Sequence, residues 1–253
     1  MSERVAWRGH LPRLNNFAVE FPIIEDLPGG GRLELHEMMG DDLAPARIAR
    51  ISYLSEGGDE ERDAALLARL IRMGHTSVFE HQVFRFLLDG VPMYIGEQII
   101  RHRIASYTKR SFRYTSPDEQ LPDDLNQEFH IPPEFLGMKE WKGKGDPAEI
   151  RAKIEDHIRR SVELYQELVN AGLRKEAARC VLPAGTRTCF WWTINMRSAM
   201  NFLSLRLRPD AQWEIRGVAK AMARIFMKVV PLTISEFLRQ WDLEKYLHAQ
   251  DNS

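Results

Sequence analysis

Residues 101–114 read RHRIASYTKRSFRY, which places six basic side chains, three small hydroxyls and two tyrosines in fourteen positions. The chain around them is balanced, with 35 Lys and Arg against 36 Asp and Glu. Bulk charge therefore does not point to nucleic acid or to an anionic membrane, and any role for cations is local. Ile104, Ala105, Phe112 and the tyrosines interleave the charges, which implies partial burial. Gln98, Arg101 and His102 are three and four residues apart; read as the end of a helix, they present an amide, a guanidinium and an imidazole on one face. Such a surface suits a phosphate or a planar heterocycle, because arginine forks match phosphate oxygens in pairs and Ser106, Tyr107 and Ser111 add hydroxyl donors. The alternatives for such a run are a solvated charged face and a single-strand nucleic-acid platform of arginines and aromatics.

Outward from this stretch, 253 residues with 44% hydrophobic content provide for one large domain or two small ones with a sizeable core. The two cysteines, Cys180 and Cys189, form neither a CxxC pair nor a disulfide framework, which fits a reducing compartment. No apolar run approaches a membrane span, and MSERVAWRGHLPRLNNF (1–17) lacks the apolar core of a signal peptide. These features imply a soluble cytoplasmic protein with neither a membrane nor a nucleic acid as partner.

Residues 1–31 read as an N-terminal extension ending in DLPGGG, and 32–253 as the domain proper. RLELHEMM (32–39) alternates as a strand, and DDLAPARIARIS (41–52) reads as a helix. DEERDAALLARLIRMGH (59–75) is a helix with acids in its first turn and Gly74 at its stop. SVFEHQVFRFLLDG (77–90) reads as a strand, and PMYIGEQIIRHRIA (92–105) as a helix opened by Pro92. After an irregular segment over 115–146, Asp146-Pro147 starts a helix whose Ile150, Ile154, Ile158, Tyr165 and Leu168 share a face up to Gly172. RKEAARCVL (174–182) is a short helix, TRTCFWWTIN (186–195) a strand, and MRSAMNFLSLRL (196–207) and AQWEIRGVAKAMARIFMKVV (211–230) are helices. Few strands separated by helices give an α/β or α+β class.

A second arginine set, Arg179, Arg187, Arg197 and Arg206, lies downstream. Arg197 and Asn201 share a helix face that starts at Asn195; a nucleotide would suit them, as would a plain role snorkelling over Trp191, Trp192 and Phe202. His75 and His81 bracket Glu80 without the HExxH spacing, so no metal site is expected. Cys180 follows a cation that would favour a thiolate, yet within EAARCVLP it reads more simply as a small buried residue. Neither GxxxxGK[ST] nor GxGxxG occurs, since the PGGG glycines lead into a strand.

Arg101-His102-Arg103, seven residues, then Ser111 resembles the RHRx7S signature of the flavin-dependent thymidylate synthases. From about residue 33 onward, ARIS, GHTSVFEH, EQIIRHRIASY, SFRY, EAARCVLP, WTINMRSAMNFLSLR and AQWEI are similar to blocks of that family in the same order. The resemblance implies a single domain with a central mixed, largely antiparallel sheet flanked by helices, assembled as a homotetramer with FAD sites between subunits. It implies conversion of dUMP to dTMP with 5,10-methylenetetrahydrofolate as the folate carbon donor, FAD as hydride carrier, NADPH as reductant, and neither a metal nor a protein nucleophile. Side chains from several subunits would hold the flavin, which accounts for the missing GxGxxG. By matching positions, the resemblance implies that His75, Ser77, Arg101, His102, Arg103, Lys109, Asn195, Arg197 and Asn201 bind FAD. Gln98, Arg101, Lys109, Arg110, Ser111, Phe112, Arg113, Arg179 and Arg206 would bind dUMP, with Arg206 and Ser111 in catalytic positions and Arg206 polarising the uracil. Lys109 stands where that family commonly has an acid or an amide, and Phe112 adds bulk beside the site. Competing classes are a non-catalytic nucleotide or RNA binder and a flavoprotein acting on another nucleotide.

Overall fold

Alternation broken by one bulge shapes the strand RLELHEMM: Leu33 and Leu35 are fully buried, and a register shift between Leu35 and Glu37 leaves the later odd positions, Glu37 and Met39, exposed. The computed structural model describes residues 20–53, 58–115, 121–137 and 139–247. Its strands are β1 (Ile23–Asp26), β2 (Arg32–Met39), β3 (Val83–Pro92), β4 (Ala105–Lys109) and β5 (Arg187–Asn195), in the order β1-β2-β3-β5-β4. Every described pairing is antiparallel, the limit of the largely antiparallel sheet that the resemblance implies.

The helices are α1 (Ala44–Ala49), α2 (Glu60–Arg72), α3 (Met93–Ile99), α4 (Pro147–Asn170), α5 (Lys175–Ala178), α6 (Met196–Arg206), α7 (Trp213–Val229), α8 (Pro231–Gln240) and α9 (Glu244–Leu247). Their ends follow local chemistry. Asp59 caps α2 by accepting the Arg62 N–H at 2.8 Å, and Asp146 caps α4 by accepting the Ala148 N–H at 3.0 Å. Both helices stop at a left-handed glycine, Gly74 (φ 71°) and Gly172 (φ 97°), where the next residue's N–H returns to the carbonyl of Leu70 or Leu168.

One face of the sheet carries the core. Phe84, Phe86, Phe190, Trp192 and Ile194 are buried against α6 and α7; Trp192 meets Phe202 at 5.1 Å and Phe84 meets Phe226 at 4.7 Å between ring centroids. Each such side chain contributes roughly 1.5–3 kcal/mol of burial. Twelve of the seventeen residues of α7 are buried, which makes it the central helix. The alternate strand residues, including Arg85 and the 40% exposed Trp191, line the opposite face, where His36 sits edge-on to Trp191 at 4.9 Å. A smaller core joins Leu125, Phe129 and Ile131 to Ile158 and Val162 of α4.

Four readings of the sequence change. β1 falls inside the stretch 1–31, so the sheet begins before residue 32, while residues 1–19 lie outside the described residues. The 77–90 stretch is a 3-10 turn, Thr76–His81, before it becomes β3. The helix expected over 92–105 ends at Ile99, because the Tyr107 hydroxyl reaches back to the carbonyls of Ile99 (3.0 Å) and His102 (2.8 Å) and holds the chain in a turn. Residues 105–109 then form the edge strand β4, so Gln98 does not share a helix face with Arg101 and His102.

PGGG is also more than a turn. The buried Arg187 donates from Nη2 to the Gly29 carbonyl (2.9 Å), from Nη1 to the Gly90 carbonyl, and from Nε to the Asn126 carbonyl (2.7 Å). A Cβ on Gly31, whose φ is 84°, would run into the carbonyls of Asp89 and Gly90. The glycines thus let two turns close around one guanidinium.

Candidate active site

The α3–β4 turn and helix α6 face each other across a cleft of about 560 Å³. The turn supplies Arg101, His102 and Arg103; α6 supplies Arg197, Asn201 and Arg206; the Thr76–His81 turn supplies Glu80. Four guanidiniums thus face one carboxylate, and Arg197 Nη1 already pairs with Glu80 Oε1. A volume in the range of roughly 300–1,000 Å³ suits a small molecule or part of a cofactor, and this charge set suits an anion.

The sequence builds this wall locally. Arg197 and Asn201 sit four residues apart on α6, with Leu205 the next member of the same stripe and Arg206 beside it. Asn195 caps the helix, its Oδ1 accepting the Ser198 N–H at 2.8 Å. Opposite, His102 is 9% exposed, with its ring edge-on to Phe202 at 4.9 Å. The Arg206 Nε–H donates to His102 Nε2 at 3.2 Å. Burial first, and the Arg206 charge second, pull the His102 pKa down to about 4, so the imidazole is neutral at physiological pH.

The residues expected to bind substrate do not all enter this cleft. The Arg113 Nε and Nη2 hold Glu176 Oε2 at 3.1 and 2.9 Å, and the Arg179 Nε donates to the Glu176 carbonyl at 3.1 Å, so both gather at α5. Ser111 Oγ accepts the Arg113 N–H at 3.3 Å and shapes the same turn, while Phe112 is buried with the Arg110 guanidinium 5.1 Å above its ring. Gln98 donates its amide to Gln212 Oε1 at 2.5 Å. Lys109 lies half-buried along Gly96 and Phe190; burial lowers its pKa and the charge of Glu97 opposes this. His75 and Ser77 are exposed on the turn that carries Glu80.

Glu80, Ser198, Ile104 and Leu205 line the cleft without having been singled out for it. Helical spacing from Arg197 was enough to find Leu205; Glu80 arrives only through tertiary packing of its turn on α6. Arg187, from the same arginine set, is absent from the cleft lining. The exposed Cys180 and the half-buried Cys189 are absent from it too. Among the described residues, no group of three or more His, Cys, Asp or Glu could hold a metal ion, and no helix is long and apolar enough to cross a membrane.

The family model described as thymidylate synthase complementing protein matches residues 34–232, a span that contains both the cleft and the α5 cluster. The chain belongs to this family. It is 42% identical over 210 residues to a flavin-dependent thymidylate synthase of Thermotoga neapolitana, covering 83% of this chain and 91% of that one. An enzyme of the same name from Thermus thermophilus is 34% identical over 224 residues, covering 87% and 80%. Among solved structures, a UMP/dUMP methylase, PolB from Streptomyces cacaoi, bound with 5-Br dUMP, superposes with a TM-score of 0.71 at 28% identity, covering 85% of this chain and 97% of that one. The same enzyme bound with 5-Br UMP gives 0.67 at 27% identity, covering 86% and 98%. The family's fold is therefore that of this single domain: an antiparallel sheet with helices packed on it.

Proposed function

We propose that this member of the family methylates dUMP to dTMP, with a flavin as cofactor. The observation that carries the reading is the cleft itself: Arg206 is anchored at Nε, among three further guanidiniums and a single carboxylate. That donor-rich set fits the diphosphate of FAD, which Arg101, Arg103, Arg197 and Asn201 would hold beside His102; the resemblance adds Asn195, His75 and Ser77, which do not line the cleft. When bound, the flavin supplies the hydride that completes the new methyl group, with NADPH as its reductant and 5,10-methylenetetrahydrofolate as the carbon donor.

The work of the chain's own residues is electrostatic. A fixed guanidinium at Arg206 faces the pyrimidine, stabilises the negative charge that develops as the N3 proton is lost, and so makes C5 nucleophilic. By resemblance, no cysteine is needed for that activation. Gln98, Lys109, Arg110, Ser111, Phe112, Arg113 and Arg179 bind the nucleotide, the arginines taking its phosphate. Ser111 and these neighbours lie at α5 and α3, apart from the cleft, which supports a site completed by a second copy in a homotetramer. The exposed Ile104 (72%) of the cleft lining and the exposed Tyr114 (76%) beneath Arg113 favour the same assembly.

An anaerobic assay with FAD, NADPH, 5,10-methylenetetrahydrofolate and dUMP tests this reading by flavin bleaching and dTMP formation. Product that depends on both FAD and dUMP upholds it; bound flavin with no product from dUMP sinks the substrate assignment. PolB is named for UMP as well as dUMP, and Lys109 replaces the usual acid or amide, so UMP is the second reading. Parallel assays with the two nucleotides separate them.

A further inference from the structure

We propose that His102 is a positioning residue for Arg206: its imidazole accepts the Arg206 Nε–H and fixes the plane in which the guanidinium meets its ligand. The proposal rests on the reading that Arg206 faces the pyrimidine, and it adds a role for His102 separate from flavin contact.

The geometry has one direction. Arg206 has only donors, so a bond between its Nε and His102 Nε2, 3.2 Å apart, requires a bare Nε2 and a proton on Nδ1. An imidazolium carries protons on both nitrogens and cannot accept. The Nε–H is the donor at the neck of the guanidinium; engaging it restricts rotation about the side chain's last bond and leaves the four Nη protons available to a ligand of the cleft that Arg206 lines.

His102 is itself held to the core. Its N–H donates to the Ile99 carbonyl at 3.0 Å, its carbonyl receives the Tyr107 hydroxyl at 2.8 Å, and Tyr107 stacks on the fully buried Trp192 at 6.1 Å. With Phe202 against its ring edge, the imidazole has little freedom to turn. A continuous path of packed groups, Trp192 to Tyr107 to His102, thus ends on the guanidinium.

The surroundings keep the imidazole an acceptor. Arg206 and Arg197 from α6, and Arg101 and Arg103 from its own turn, all line the same cleft; Tyr107 contributes a hydroxyl from β4. Among the described residues Glu80 is the one carboxylate lining the cleft, and it is paired with Arg197. A second positive charge on His102 would be repelled by Arg206 and desolvated by Phe202, in line with its lowered pKa.

The test uses the FAD-loaded full chain, its His102→Gln and His102→Leu variants, and the imidazole ¹⁵N spectrum. The chain has eight histidines, and the signal missing from His102→Gln assigns His102. A bare Nε2 and a protonated Nδ1, persisting as pH falls from 8 to well below the usual histidine value, are expected. Gln offers a neutral acceptor and Leu none, so at saturating FAD and per bound flavin His102→Leu lowers kcat by ~10²-fold, while His102→Gln recovers to within ~10-fold of the native chain. A protonated Nε2 at neutral pH, or Gln and Leu variants with equal kcat, overturns the proposal. If the native chain forms no dTMP, the functional reading fails on its own, and the spectrum still decides the contact: bare Nε2 upholds it and protonated Nε2 removes it.

Discussion

Arg187 and Arg206 are both arginines held between strands and helices, yet the protein treats them in opposite ways. Arg187 is 5% exposed and commits all three guanidinium nitrogens to carbonyl oxygens of Gly29, Gly90 and Asn126, with Asn126 Oδ1 taking a second bond from Nη2 at 2.9 Å. Arg206 is half-buried, and among the described residues its one recorded hydrogen bond is from Nε to a neutral histidine. A guanidinium with four of its five donors taken, three by backbone carbonyls and one by an amide oxygen, is a rivet between turns. One anchored at its neck beside a cleft with a single acid is arranged for an outside anion or oxygen.

The contrast is sharpest in the variants with the largest effects. Arg206→Gln keeps donors but removes the charge; kcat should fall ~10²–10³-fold, with the melting temperature nearly unchanged. Steady-state kinetics beside a thermal melt checks both halves. Arg187→Met leaves three carbonyls without their donor and should cost about 3 kcal/mol. For a chain of this size that is a fall in Tm of about 6–12 °C, with flavin affinity per folded molecule retained. Should Arg187→Met weaken flavin binding without loss of stability, the division between rivet and ligand site breaks.

Smaller effects refine the boundary of the cleft. Asn195 is a helix cap in the structure and a flavin contact by resemblance, so Asn195→Ala separates the two roles. Loss of the cap alone costs ~1 kcal/mol in thermal or urea unfolding. A drop in FAD affinity beyond that loss would place its amide on the cofactor. Lys109→Gln tests whether the unusual cation adds electrostatic attraction: weaker dUMP or FAD binding at low salt, fading at high salt, is expected. Equal binding at both salt concentrations would leave Lys109 with only its packing on Gly96.

Acid should weaken the whole arrangement in a defined order. His102 has a folded pKa of about 4, below its ordinary 6.5, so the stability of its neutral form is fully present above 6.5 and is lost as pH falls through about 4. Glu214 follows lower down. Burial pushes its pKa up, but the His130 imidazole 3.2 Å away and the Tyr94 hydroxyl, which donates to it at 2.8 Å, outweigh burial and hold it at about 2, so its contribution is present above 4.5 and lost toward 2.

What was legible in the sequence was what local chemistry decides. Asp59, Asp146, Gly74 and Gly172 mark the ends of α2 and α4, and the four-residue step from Arg197 to Asn201 places both on the cleft wall. β4 was hidden because its five residues follow a helical stretch, and the turn between them depends on Tyr107 reaching back to Ile99. Gln98 turned away from Arg101 for the same reason, and toward a partner more than a hundred residues later. Arg187 and Arg206 could not be told apart by spacing, since what distinguishes them is which carbonyls the folded turns deliver.

The most direct test of the cleft as the flavin site compares two surface arginines of similar character. Arg103 lines the cleft, whereas Arg224 of α7 pairs with Glu25 of β1 at 2.6 Å, outside the cleft lining. FAD binding, followed by quenching of flavin fluorescence, should weaken ~10-fold in Arg103→Gln, the loss of about 1.4 kcal/mol that one charged hydrogen bond supplies. Arg224→Gln should bind FAD as the native chain does. Equal Kd values for all three proteins would contradict the account, because the four-guanidinium cleft would then not be where the flavin binds.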